Sequence, residues 1–383
     1  MFVAMFVANM PDNGGAFFSD LCLARELRRR GHTVFLVNMG KPATLYSGGE
    51  YEGFRWKPFV SAGKELDQSQ IWLAPHYPRG PHIRRLNAAY RRPIIFTLHF
   101  SGAVEMFRSP VQITWKETFW YVNSQIPRIL MPQGFPNHVT AHHKRFPFVN
   151  PEDSRVDSPG EYIALINANL NKGLALFLEI AKRMPHHKFL GVRSYYHAPY
   201  QTLLEVPPNI EWVDFTRDLK SLYSKIRVLL VPSVYESFCV VALESFHNGI
   251  PVLYSKPRTD IVTAPPGSTE GVEEWIAPAG IACDARGPDE WVEALHELDD
   301  PDAYQAKSDE VRVHAQTVAT SASQGADYVE SFSRANPVET GRAFKIQNAP
   351  PPRESEPVPT AIPRPPVGAR IGWQNGRLSF ARR

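Results

Sequence analysis

The sequence predicts an α/β protein of two domains, each built on a parallel sheet. Three observations carry that expectation. The chain has 383 residues, which at about 150 residues per domain makes two domains and a remainder. Its hydrophobic content of 43% is enough for two cores. Short apolar runs closed by Gly, Pro or Asn alternate with helix-patterned stretches, as in strand–helix–strand units of parallel sheets.

The clearest such unit is Arg227 to Ser255, RVLLVPSVYESFCVVALESFHNGIPVLYS. Val228 to Val231 read as a strand buried on both faces, and Pro232 stops it because proline cannot donate to the ladder. After the loop Ser233-Val234-Tyr235-Glu236, apolar residues including Val240, Leu243 and Phe246 fit a helix that Gly249 closes. Ile250 to Tyr254 begins the next strand. Ligands of parallel sheets sit at the carboxyl ends of the strands, where this unit places Glu236 and Glu244. Eight residues apart, the two would lie on different faces of one continuous helix, at about 100° per residue. They converge only if Glu236 is in the loop, at a helix mouth whose N–H groups attract phosphate, with Glu244 two turns in. Carboxylates are poor phosphate ligands, so their chemistry there is to accept hydrogen bonds from sugar or ribose hydroxyls.

The pattern P-S-x-x-E-S-F-x5-E-S-x4-G-x-P-V resembles the E-x7-E signature of retaining glycosyltransferases of family 4, which have the GT-B fold. The resemblance implies two Rossmann-like domains with parallel sheets facing a central cleft. It implies that Glu236 contacts a donor sugar, that Glu244 contacts the ribose of a nucleotide, and that Ser237, Phe238 and Cys239 line the donor site between them. It covers residues 1 to about 336.

Taken in order, Phe2 to Ala8 is the first strand, and Pro11-Asp12-Asn13-Gly14-Gly15 turns into a helix from about Phe17 to Arg30. Gly31-His32 ends that helix and Thr33 to Asn38 is a strand. A glycine turn of this kind lets backbone approach a phosphate. It is not GxGxxG, so no dinucleotide site is expected. Gly14, Gly15 and RRRGHTVFLV are similar to the opening of the family's acceptor domain. Pro93 to Leu98 is a further strand, and His99 at its carboxyl end resembles the family's strand-terminal histidine beside the donor sugar; His76 is a second candidate of that kind. A helix is expected over about Pro81 to Tyr90. Between Val111 and Val149 the signals thin to an aromatic-rich stretch and a basic patch, His142 to Arg145. Pro147 to Pro159 reads as the linker.

The second domain opens with the strand Tyr162 to Ile166, a loop Asn167 to Gly173 and a helix from about Leu174 to Met184. Lys172-Gly173 is similar to the family's Lys-Gly, in which the lysine neutralises the donor diphosphate. A diphosphate leaving group needs preorganised positive charge as the glycosidic bond breaks. The family's arginine five residues earlier is Asn167 here, and Arg193, after the next strand, is the candidate cation in its place. The usual Gly-Gly-x-x-Glu is replaced by Lys256 to Asp260. Asp300-Pro301-Asp302 spells D-x-D but follows a helix, and reads as a turn. No metal and no cofactor are expected beyond the nucleotide-diphosphate sugar donor.

The organisation expected is therefore an acceptor-binding domain over 1–150, a nucleotide-sugar-binding domain over 151–336 and a Pro-rich disordered tail over 337–383, which holds nine prolines. Residues 1–150 carry 18 Lys and Arg against 9 Asp and Glu, and residues 151–337 carry 16 against 27. With Arg28-Arg29-Arg30, Arg84-Arg85 and Arg91-Arg92, the first half is expected to face an anionic acceptor or surface, DNA or anionic lipid. The three cysteines, Cys22, Cys239 and Cys283, are scattered and imply neither disulfide framework nor zinc site. MFVAMFVANM has no basic n-region and is too short to span a bilayer, so a cytoplasmic protein is expected, with a peripheral place at the membrane left as an option by the basic first half. The function the resemblance implies is retaining transfer of a sugar from a nucleotide-diphosphate sugar to an acceptor hydroxyl. The alternatives left open are a DNA-modifying glycosyltransferase acting on a hydroxylated base, an epimerase or phosphorylase on the same fold, and a non-catalytic nucleotide-sugar or nucleic-acid binding protein.

Overall fold

The computed structural model describes residues 1–7, 10, 14–40, 48–75, 83, 86–87, 89–98, 116–121, 142–144, 148–194, 205–234, 236–257, 270–318, 322–338, 370–374 and 377–381. They form two compact units, 1–149 with 320–358 and 150–319 with 359–383.

The first unit is built on β1 (Phe2–Val7), β2 (Thr33–Asn38), β3 (Gly49–Tyr51), β4 (Phe54–Pro58), β5 (Ile71–Pro75), β6 (Ile94–Leu98), β7 (Glu117–Tyr121) and β8 (His142–Lys144). They make one sheet in the order β3-β4-β2-β1-β5-β6-β7-β8, parallel throughout except for the β3–β4 hairpin. β1 is apolar along its whole length and buried from Val3 onward, as a central strand covered on both faces must be. Helix α1 (Gly15–Arg29) follows and ends at Gly31, whose φ of 84° needs a residue without Cβ. Helix α2 (Gly63–Gln68) leads into β5. Two strands carry little sequence signal: β7 uses the aromatic stretch, and β8 uses part of the expected basic patch as a sheet edge. Of the helix expected over about Pro81 to Tyr90, the described residues 83, 86, 87, 89 and 90 are helical, and the other half lies outside the described residues.

The second unit contains α3 (Pro151–Ser154), β9 (Tyr162–Ala168), α4 (Leu174–Arg183), β10 (Phe189–Arg193), β11 (Ile210–Val213), α5 (Leu219–Tyr223), β12 (Ile226–Val231), α6 (Val240–His247), β13 (Val252–Ser255), α7 (Glu270–Ile276), β14 (Ile281–Cys283), α8 (Asp289–Glu297) and α9 (Pro301–Val318). Its six-stranded sheet is parallel throughout, in the order β11-β10-β9-β12-β13-β14. Counted from β9, that is the doubly wound order 3-2-1-4-5-6, whose direction reverses between its first and fourth strands, here β9 and β12. Its core, including Phe177, Phe189, Leu230 and Trp291, is fully buried. No described helix is long and apolar enough to cross a membrane.

Two expectations about organisation change. Helix α10 (Ala322–Ala335) belongs to the first unit, not to the second domain. Its Ala326, Val329 and Phe332 enter the first core beside Leu23, Leu27 and Phe148. Gly325 permits that approach: a Cβ there would meet the Phe148 ring at 2.4 Å. The tail, expected to be disordered over 337–383, ends in an antiparallel hairpin, β15 (Arg370–Gln374) with β16 (Arg377–Ala381). The alternating pairs Ile371, Trp373 and Leu378, Phe380 flank Asn375-Gly376, the strongest short hairpin signal in a sequence.

Candidate active site

The reversal point of the second sheet is where two strand-end loops interlock. At the end of β9, Asn167 sits at φ 63°, which asparagine adopts at little cost. A bulge accompanies it, with Gly191 facing Leu165 and Arg193 facing Ala168. Asn169 then organises the turn: its amide donates to the Asn167 carbonyl at 2.9 Å, and its Oδ1 accepts from the Lys172 N–H at 3.2 Å. Gly173 follows at φ 79°, and a Cβ there would meet the Pro232 carbonyl oxygen at 2.0 Å. The glycine thus lets the β9 loop lie against the β12 loop. Val234 N–H locks the two by donating to the Asn171 carbonyl at 2.9 Å.

This interlock brings Lys172 to Glu236. The Lys172 ammonium donates to Glu236 Oε1, and Ser233 Oγ donates to the same oxygen at 3.0 Å. Glu236 is 8% exposed and Ser233 3%. Burial works to lower the ammonium's pKa, but the facing carboxylate outweighs it, so Lys172 is held above its ordinary value and stays charged. Two ammonium protons and Glu236 Oε2 stand beyond these two bonds.

Glu236 lies in the loop, as the spacing required. Helix α6 starts later than expected, at Val240, so Glu244 sits in its second turn. Cys239 precedes the helix at φ 66° and supplies no side-chain cap; the first N–H groups of a helix have no intrahelical partner and favour an anion. Ser237 and Phe238 fill the approach. Phe238 is buried and stacks on Trp275 at 4.8 Å, and the Trp275 indole donates to its carbonyl at 2.7 Å. The Cys239 thiol is pushed well above its usual value by burial and by the Glu236 charge, which makes it a poor nucleophile. Glu244 accepts from the Tyr223 hydroxyl at 2.6 Å. Burial lifts its carboxyl to about 7, against the Tyr223 bond and with a push from Asp153.

The two glutamates are therefore held by different partners, Glu236 by Lys172 and Ser233, Glu244 by Tyr223. The Arg193 guanidinium donates to Asp214 at 3.0 Å and lies 5.9 Å from the Trp212 ring centre, on the β11 side. Gly14 stands before α1 with extended backbone, φ −81° and ψ 146°, and Gly15 is the helix's first residue; both follow β1, between β2 and β5. His99 and His76 lie outside the described residues. Asp300 accepts from the Ala303 N–H at 2.8 Å, which makes D-x-D a helix start. Sequence reasoning passes over Asn169, Tyr223 and Ser233 as site residues, although Ser233 lies inside the P-S of the signature and Leu222-Tyr223 resembles the family's run before it.

Comparison with known proteins bears on this geometry. Residues 162–300 match the family described as glycosyl transferases group 1. The second unit carries a glycosyltransferase domain. That makes the chain a transferase by class. Over both units it is similar in fold to a sucrose-phosphate synthase from Thermosynechococcus elongatus, at 15% identity and TM-score 0.65, covering 87% of this chain and 98% of that one. Anabaena HepE in complex with UDP-glucose gives 12% identity and TM-score 0.65, covering 86% and 99%. WaaG, a glycosyltransferase involved in lipopolysaccharide biosynthesis, gives 14% identity and TM-score 0.60, covering 85% and 99%. These likenesses give the chain the GT-B fold, with two Rossmann-like domains. No curated protein sequence matches it.

Proposed function

We propose that the chain is a retaining glycosyltransferase of the family 4 type that moves a sugar from a nucleotide-diphosphate sugar to an acceptor hydroxyl, with the donor at the reversal point of the second sheet. The observation that carries this reading is the Lys172–Glu236–Ser233 cluster between the ends of β9 and β12, in which Glu236 and Ser233 are buried and Lys172 is partly exposed. A cation held there by fold contacts is preorganised for a leaving diphosphate and needs little rearrangement as charge develops. Lys172 keeps one proton on Glu236 and offers the others to the diphosphate, assisted by the N–H groups at the mouth of α6. Glu236 Oε2 accepts from a sugar hydroxyl and orients the ring. Glu244, on the far side of Cys239, accepts from the ribose hydroxyls, and Tyr223 sets its rotamer. His99 takes the reacting-centre role the family resemblance gives it, and Gly14 and Gly15 belong to the acceptor side.

Cys239 is buried with its thiol pushed well up, and the Glu236 carboxylate is engaged by Lys172 and Ser233, which disfavours covalent catalysis by either. The acceptor hydroxyl then attacks from the face the diphosphate leaves, and the departing oxygen takes its proton. UDP-glucose, bound by the neighbour HepE, is the first donor to try. The test is incubation with a panel of nucleotide-diphosphate sugars and acceptors, with the product's anomeric configuration read by NMR. A retained configuration is expected; an inverted product removes the mechanism, and no transfer with any donor removes the activity.

An anionic acceptor or surface is the second half of the reading, and the arginine run does not support it. Arg28 donates to the Glu52 carbonyl, Arg29 pairs with Glu26, and Arg30 pairs with Glu26, Asp327 and Glu330. A gel shift with duplex DNA and a vesicle flotation with anionic lipid, each at two salt concentrations, decide it.

A further inference from the structure

Away from the proposed donor site, the second unit gathers His187, His296 and Asp299 into a cluster whose ligand atoms all lie within 4.8 Å of one another. His187 Nε2 is 3.0 and 3.1 Å from the two Asp299 oxygens, and His296 Nδ1 is 3.2 Å from Asp299 Oδ2. The rings meet edge to face, 5.7 Å between centres at 69°. These separations are close to the edge of a small coordination tetrahedron. Metal–nitrogen and metal–oxygen distances near 2.1 Å put neighbouring ligand atoms about 3.4 Å apart.

The scaffold is rigid on the His187 side. That residue lies in the turn between α4 and β10, and the Asn209 amide binds the turn's carbonyls at Ala181, Met184 and His187, at 3.0, 3.0 and 3.1 Å. On the other side, His296 is in the last turn of α8 and Asp299 lies just beyond it, with the Asp299 N–H on the His296 carbonyl at 3.1 Å. His296 also borders an open groove shared with Asp289, Glu293 and Glu297. Arg183, the groove's cation, is paired with Asp289, so Glu293 and Glu297 bias the local field toward a cation.

We propose that His187 Nε2, His296 Nδ1 and one Asp299 oxygen bind a zinc-class divalent ion, with water in the fourth position. Two imidazoles and one carboxylate suit zinc, and the ligand set excludes magnesium, which prefers oxygen donors. The ion would clamp the turn entering β10 to the end of α8.

The test uses the full chain after chelator treatment. Calorimetry with Zn2+ is expected to give one site per chain, and substitution by Co2+ to give the visible absorption of a four-coordinate ion. His296→Ala and Asp299→Asn change side chains that are 58% and 45% exposed, and each is expected to weaken Zn2+ binding by more than about tenfold. Mg2+ is expected not to compete. Failure to bind Zn2+, or binding that both variants leave unchanged, overturns the proposal and makes the cluster an ordinary hydrogen-bonded one.

Discussion

Arg30 in the first unit and Lys172 in the second are both cations drawn onto carboxylates, and their surroundings assign them different work. Arg30, at the end of α1, reaches Glu26, Asp327, Glu330 and the Ser323 carbonyl, tying α1 to α10. Glu26 is held near 2 by its Arg29 hydrogen bond, against burial and with help from Arg30. That network joins the flanks of two helices. Lys172 and Glu236 instead come from two loops at the carboxyl ends of adjacent strands, where the sheet order reverses. Opposite charges in contact are thus no sign of a site by themselves. Their place in the topology separates a brace from a donor pocket.

The largest effect that sharpens this contrast is expected from Lys172→Met, which removes the diphosphate's counter-charge and leaves Glu236 facing a methyl group. Turnover should fall by about 10²–10³, whereas Arg30→Met, its counterpart in the brace, should leave turnover per folded molecule unchanged. Glu236→Ala should lose most turnover while nucleotide binding survives; calorimetry beside a donor-consumption assay separates the two. Gly173→Ala probes the interlock itself. With positive φ and the Pro232 carbonyl in the way, it should cost about 2–4 kcal/mol by denaturant unfolding, and a change near zero would mean the loops are not locked.

A smaller effect concerns pH. Folding raises the Glu244 pKa from 4.5 to about 7, so the native state binds that proton more tightly than the unfolded chain does. The stabilisation is complete below about 4.5 and is lost as pH rises through about 7. Glu244→Gln should flatten this part of the stability profile, and an unchanged slope would remove the assignment. The smallest effect is expected in the brace: Arg30→Ala should cost roughly 1–2 kcal/mol from its lost hydrogen bonds, and Arg29→Ala, whose side chain is 71% exposed, should leave the melting temperature where it was.

Much of the fold is legible because parallel strands are continuous apolar runs. FVAMFV, TVFLVN and RVLLV mark their strands within a residue or two, and the eight-residue spacing places Glu236 in a loop once the two carboxylates are required to converge. What the sequence hides, it hides for physical reasons. The pattern of α10 says that one face is buried but not against which core, so position along the chain assigns it to the wrong domain. His142-His143-Lys144 has no apolar residue, and an edge strand of three needs none. The arginine run shows its charge but not its partners, which are as distant in sequence as Glu330. The terminal hairpin has a signal in Asn375-Gly376 that the surrounding prolines obscure. In the site, the meeting of Lys172 with Glu236 depends on Gly173 lying against Pro232, a contact that no local pattern encodes.

Calorimetric titration of the intact chain and of Lys172→Met with a nucleoside diphosphate, UDP first, tests the central claim most directly. Tight binding by the unaltered chain and a loss of more than about tenfold in the variant are the results expected. Equal affinity in the two proteins would contradict the placement of the diphosphate at the reversal point of the second sheet.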